Sequence, residues 1–118
     1  MITGAHSIIY SSDAEADLDF FKNVLKFPHV DLGHNWLIFA LPPSELAVHP
    51  ATESDLQELY LMCDDINLFV NEMASHKIVC SEIENQRWGS LTHLTLPGGG
   101  KIGIYEPKHE RPVPTPTP

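Results

Sequence analysis

The side chains of this chain with the types and placement to do chemistry are imidazoles and carboxylates in segments that alternate like strands: His6, His49, Glu58, His93 and Glu106. Imidazole nitrogen and carboxylate oxygen together suit a divalent ion such as Mn, Fe, Ni or Zn, and the same groups can move protons near neutral pH. Other chemistries lack their context. Cys63 and Cys80 are too far apart for a zinc-type pair, and no positive charge nearby favours a thiolate, so both read as buried thiols. Gly98-Gly99-Gly100-Lys101 imitates a phosphate loop, but Ile102 stands where Ser or Thr is needed and a strand rather than a helix follows. No Ser-His-Asp order has support either. Aromatic side chains form a second set: Tyr60, Trp88 and Tyr105, with His93 alternating beside Leu91 and Thr95, can line a hollow and stack on a flat ligand. Each candidate has a plainer reading. His49 and Glu106 precede prolines at strand ends, where polar residues face water. Glu58 can be a strand-start residue, His93 a satisfied strand histidine, and Phe39 simply core. His29, His34, His76 and His109 fall in turns or flanks and receive no role.

What must position these side chains is a part made twice. Residues 41–50, LPPSELAVHP, and 96–107, LPGGGKIGIYEP, share a plan: Leu-Pro, a turn, a short apolar strand, then a polar side chain and proline. Upstream of each, the same order recurs. Gly4 to Ser11 alternates as a strand, with His6, Ile8 and Tyr10 on one face. A helix follows, with Ser12 and Glu15 spaced as a capping box and Leu18, Phe21 and Leu25 as its apolar stripe; Pro28 ends it. Val30–Leu32 and Trp36–Leu41 read as a hairpin about Gly33-His34-Asn35, and Glu45–His49 as the last strand of the half. The second half reads as strand Glu58–Cys63, a helix capped by Asp64 or Asp65, strand Ile78–Ser81, polar loop Glu82–Arg87, strand Trp88–Leu96 and strand Lys101–Glu106. His6 to Glu58 and Asp13 to Asp65 are both 52 residues, and Leu41 to Leu96 is 55. The expectation is an α+β fold of two βαβββ modules packed as a paired half-barrel, in one domain over residues 1–110: module one about 1–50, linker 51–57, module two about 58–107. Residues 111–118, RPVPTPTP, read as a Pro-rich mobile tail.

These features resemble the vicinal oxygen chelate superfamily, which includes glyoxalase I, extradiol dioxygenases, fosfomycin-resistance enzymes and bleomycin-binding proteins. The resemblance rests on the paired modules, His6 in the first strand, the Asp13 to Phe20-Phe21 helix start, the Val24-Leu25-Lys26-Phe27 exit and the closing Pro97-Gly98-Gly99-Gly100 to Tyr105-Glu106-Pro107 run. It spans residues 2–109 and most resembles the small glyoxalase-like members. Members with chemistry hold a divalent metal in the concave sheet. The resemblance then implies His6 as a first ligand and Glu58 as its counterpart in module two, while the remaining ligand positions fall on Leu46 and Gly103, which cannot coordinate. His49 and Glu106 lie three residues beyond those positions, on the opposite face of a regular strand.

A formal net charge of −9, with 16 acidic against 7 basic residues, argues against a phosphate-backbone or membrane-surface partner. No apolar run reaches the length of a membrane span and the N-terminus lacks a signal-peptide pattern, so the expected location is cytoplasmic. The preferred expectation is a small-molecule-binding protein with a degenerate metal site and no certain cofactor, its ligand held by Tyr60, Trp88, Tyr105 and His93. The alternative is a metal-dependent lyase, isomerase or dioxygenase acting on vicinal oxygens through His6, Glu58, His49 and Glu106. In either case uncovered sheet edges lead us to expect a homodimer.

Overall fold

A computed structural model describes residues 6–34, 36–44, 47, 52, 57–110 and 112. The expected strand over 45–49, including Leu46 and His49, lies outside the described residues except at Ala47. The linker and the tail also lie largely outside them.

In the first half, helix α1 (Ala14–Asp19) is capped by Asp13, whose carboxylate accepts the Ala16 N–H at 3.2 Å. The capping box expected from Ser12 is therefore not the cap. Ser12 turns away and donates to the Gly98 carbonyl at 3.3 Å, while Ser11 Oγ accepts the Asp13 N–H. The helix continues as a π-turn over Phe20–Val24 and closes about Lys26, whose φ of 58° places it in the left-handed region. Phe20 drops into the core, while Phe21 meets Phe27 and Phe39 at centroid distances of 6.1 and 5.8 Å. Phe39 thus packs as the plainer reading expected.

Strands β1 (His29–Asp31) and β2 (Leu37–Phe39) form the antiparallel hairpin, with Gly33 and His34 both at positive φ. The turn is fastened by Asp31, whose carboxylate accepts the Gly33 N–H at 2.8 Å. The strand expected over 4–11 is not formed across its described part. Residues 6–10 are irregular and exposed, with Tyr10 at 90 % exposure. Alternation supplies a face, but a strand also needs a neighbouring ladder, and among the described residues none runs alongside.

The second half is a complete βαβββ unit. Strand β3 (Tyr60–Met62) leads to helix α2 (Ile66–Ser75), then β4 (Glu84–Gln86), β5 (Gly89–Thr95) and β6 (Lys101–Pro107), in the sheet order β3-β6-β5-β4. Strand β3 runs parallel to β6, and the other pairs are antiparallel. Asp65 caps α2 by accepting the Leu68 N–H at 3.0 Å, as its spacing predicts, and the helix ends about Lys77 at φ 61°. The two halves thus repeat both a capping aspartate and a left-handed lysine. The strand expected at 78–81 shrinks to a bridge between Cys80 and Leu94, and the run expected as a loop carries β4. From that bridge to the Glu84–Leu91 pair, four residues on one side match three on the other, so the edge strand is bulged. A polar Glu84-Asn85-Gln86 run survives as a strand because an edge leaves both of its faces near water.

Phe20 from the first half, Ile66 and Met73 from α2, Leu94, Ile102 and Ile104 from the sheet, and Leu96 just beyond β5 form one buried core. Residues paired across the ladder share a face, so Leu94, Ile102 and Ile104 point to the helices. Tyr60, Met62, Glu84, Leu91, His93, Gly103 and Tyr105 share the other face. Among the described residues no helix is long and apolar enough to cross a membrane.

Candidate functional site

The face away from the helices gathers the expected ligand-binding residues. Tyr60, Gly103 and His93 lie side by side across β3, β6 and β5. The Tyr60 ring meets His93 at 5.9 Å and Tyr105 at 6.3 Å, the second nearly edge-on at 74°. Tyr105 in turn meets Trp88 at 5.5 Å and His109 at 5.7 Å. The result is an aromatic corner in which Tyr60 stands steeply to His93 and Tyr105, while Trp88 and His109 lie at 35° and 29° to Tyr105. Trp88, in the turn between β4 and β5, is 45 % exposed. His109, which the sequence assigned nothing, joins through its ring contact.

Two glycines make this packing fit. A Cβ on Gly103 would enter the Tyr60 ring, with ring Cγ at 2.7 Å, and one on Gly89 would press on the Tyr105 ring and on the Glu106 carbonyl at 2.7 Å. Glycine inside a strand is the sequence signal for such close approach, although it does not say which side chain approaches.

Polar groups fix the corner's ends. The Tyr105 hydroxyl donates to the Trp88 carbonyl at 2.9 Å, tying β6 to the β4–β5 turn. Burial first, then the neighbouring Glu58 carboxylate, as an acceptor and as a charge, and the charge of Glu84 push the Tyr60 pKa above its ordinary 10.0. Tyr60 is therefore a neutral donor at physiological pH and not a phenolate. Burial foremost, helped by Glu106 and Asp64, pushes the Cys63 thiol up to about 11, and burial raises Cys80 as well. Neither is poised as a nucleophile.

Of the expected metal ligands, the three among the described residues do not come together. His6 is exposed in the irregular segment 6–10, and His49 lies outside the described residues. Glu58 sits beside Tyr60. Glu106 points to the helix side, where its Oε1 accepts the Ile66 N–H at 2.9 Å and so caps α2 together with Asp65. Among the described residues no three His, Cys, Asp or Glu side chains form a metal-holding group. At the position the resemblance gives to a carboxylate, Gly103, the Tyr60 ring fills the space. The described residues do not fit a divalent ion. Glu106 has a helix to hold instead: Glu106→Ala is expected to cost about 1 kcal/mol of stability, the usual worth of a helix cap, measurable by urea denaturation.

A groove of about 360 Å³ lined by Val70, Ala74, Lys77, Ile78, Val79 and Cys80 lies at the end of α2. It contains none of the candidate residues.

No protein-family model matches the chain, and no curated protein matches it by sequence. Among solved structures it is similar to an antibiotic-binding protein from Streptomyces sp. CB03234, at 21% identity and TM-score 0.65, over 92% of this chain and 99% of that one. It is also similar to a glyoxalase/bleomycin resistance protein/dioxygenase superfamily member from Sphaerobacter thermophilus, at 23% identity and TM-score 0.60, over 89% and 98% of the two chains. A lactoylglutathione lyase from Agrobacterium tumefaciens aligns at 13% identity and TM-score 0.59, over 88% and 92%. At these identities the likeness concerns the fold.

Proposed function

From a chain with the vicinal oxygen chelate fold, we propose a small-molecule-binding protein that holds an aromatic ligand against the sheet face lined by Tyr60, Trp88, Tyr105 and His93. The observation that supports this reading is the meeting of those four rings on the face turned away from the core. Rings partly exposed together offer apolar area and π-faces to a ligand. The Streptomyces neighbour is an antibiotic-binding protein, which agrees with binding as a role of this fold. We favour binding over metal-dependent lyase, isomerase or dioxygenase chemistry because Glu106 caps α2 and Tyr60 fills the place beside Gly103.

The test uses 2-naphthol, an uncharged aromatic probe, with the chain carrying Trp36→Phe so that Trp88 is the one tryptophan. Saturable quenching of Trp88 is expected, weakened about tenfold by Tyr60→Ala through loss of an aromatic contact. No quenching, or equal affinity in both chains, sinks the reading.

The same proposal includes two halves packed about a shared hollow, and a homodimer. Val30, Leu32 and Trp36 on the β1–β2 hairpin are 57 %, 53 % and 64 % exposed, apolar side chains that neighbour one another rather than standing singly. Sedimentation at micromolar concentration is expected to give twice the 13.2 kDa chain mass. A monomer there counts against the dimer.

A further inference from the structure

In the row Tyr60–Gly103–His93, the middle position is the one from which a last-strand carboxylate would reach an ion, and it carries no side chain. A missing ligand alone would leave a gap beside His93. Here that volume is filled: the Tyr60 ring lies across Gly103 so closely that even a methyl group would overlap it. We infer that Tyr60 is the specificity-determining residue of this face, occupying the ion's side of the sheet with an aromatic ring so that ligand binding is metal-independent. The ligand half of this inference rests on the function proposed above; the exclusion of the ion does not.

Two ring contacts keep Tyr60 in place. His93 flanks it at 5.9 Å and Tyr105 meets it edge-on at 6.3 Å. Swinging the ring aside to admit an ion gives up both. Among the described residues it would still leave His93 and Glu58 as the donors on that side, fewer than the three protein ligands such a centre ordinarily has. What the row gives up in coordination it gains as apolar surface. The steep angle between the Tyr60 and Tyr105 rings suits an aromatic molecule lodged in the corner, one ring beneath it and the other at its edge.

The converse follows from the register. With the ring removed and a carboxylate supplied, Y60H/G103E brings two imidazoles and a carboxylate into one row across three adjacent strands. The experiment dialyses the full chain and this variant against Zn(II) or Mn(II), measures bound metal by elemental analysis, and titrates 2-naphthol into wild type with and without EDTA.

The expected results are no stoichiometric ion in wild type, one ion per chain in Y60H/G103E that His93→Ala removes, and 2-naphthol affinity unchanged by EDTA. If Y60H/G103E does not show the wild-type circular dichroism, Y60H/G103D, with the shorter carboxylate, takes its place. A stoichiometric ion in wild type, or a folded variant that holds none, overturns the inference. Failure of 2-naphthol to bind overturns the proposed function instead, while the dialysis arm still decides whether Tyr60 keeps the ion out.

Discussion

Gly103→Ala is expected to destabilise the chain by about 2 kcal/mol, within the range for overpacking a filled site, and Tyr60→Ala in the same chain to return most of that loss. The added Cβ meets the middle of the Tyr60 ring rather than a flexible tip, with ring Cγ at 2.7 Å. Relief therefore requires rotating the whole side chain about χ1. That rotation is opposed by His93 on one side and Tyr105 on the other. Backbone freedom is not at issue, because Gly103 lies in the middle of β6 and is not among the glycines at positive φ. Tyr60→Ala alone is expected to cost less than Gly103→Ala, since the ring is only half-buried and its loss opens the face to water rather than leaving a sealed cavity. Urea denaturation of the two single variants and the double variant forms a cycle. If the costs simply add, Tyr60 is not what Gly103 accommodates, and the account of the face fails with it.

How much of this was legible in the sequence depended on whether the cause was local. Asp65 as a cap, the Gly33-His34 hairpin turn and the β5–β6 pair follow from neighbouring residues, and the structure places them within a residue or two of expectation. His93 and Tyr105 were legible as sharing a side, because alternation within β5 and β6 fixes it, whereas Tyr60 on β3 and Trp88 in the turn meet them only through the fold. Ser12 was misread as a cap because its competitor, Asp13, stands next to it, and only the fold shows that Ser12 is engaged by Gly98. The bulged edge at 79–86 was split into a strand and a loop, since its polar run carries no apolar alternation and its pairing is dictated by β5. Gly103 was legible as a missing ligand but not as a seat for Tyr60, because a glycine announces close approach without naming the visitor. The role of Glu106 was half visible. Strand parity put it on the far side of β6 from Gly103, but the Ile66 N–H that it serves is 40 residues away.

The second large effect is expected at Asp17, a carboxylate 5 % exposed that no sequence pattern singled out. Its Oδ1 accepts the Gly98 N–H at 2.7 Å while Ser12 Oγ donates to the Gly98 carbonyl, so both backbone groups of that turn residue are held by the start of the first helix. This is the polar joint between the halves, at the tip of the β5–β6 hairpin whose strands carry His93, Gly103 and Tyr105. Asp17→Ala removes the acceptor and leaves a part-buried N–H unpaired, and the expected cost is about 2 kcal/mol, as for hydrogen bonds to charged groups. That corresponds to a fall in Tm of roughly 10 °C for a chain of this size. Asp17→Asn is expected to behave differently. Its carbonyl oxygen can keep the bond to Gly98. The other carboxylate oxygen, Oδ2, is buried with no hydrogen-bond partner among the described residues, so exchanging it for an amide removes a buried charge but leaves an unpaired NH2 where an unpaired oxygen stood. Loss of the charge-assisted bond and relief of the buried charge oppose each other, so asparagine is expected to cost less than alanine, about 1 kcal/mol. Thermal denaturation of the two variants decides the matter: if asparagine is as costly as alanine, the charge and not the bond to Gly98 holds the joint, and if neither moves Tm, the halves are held by the packing of Phe20 and its neighbours on the core rather than by Asp17.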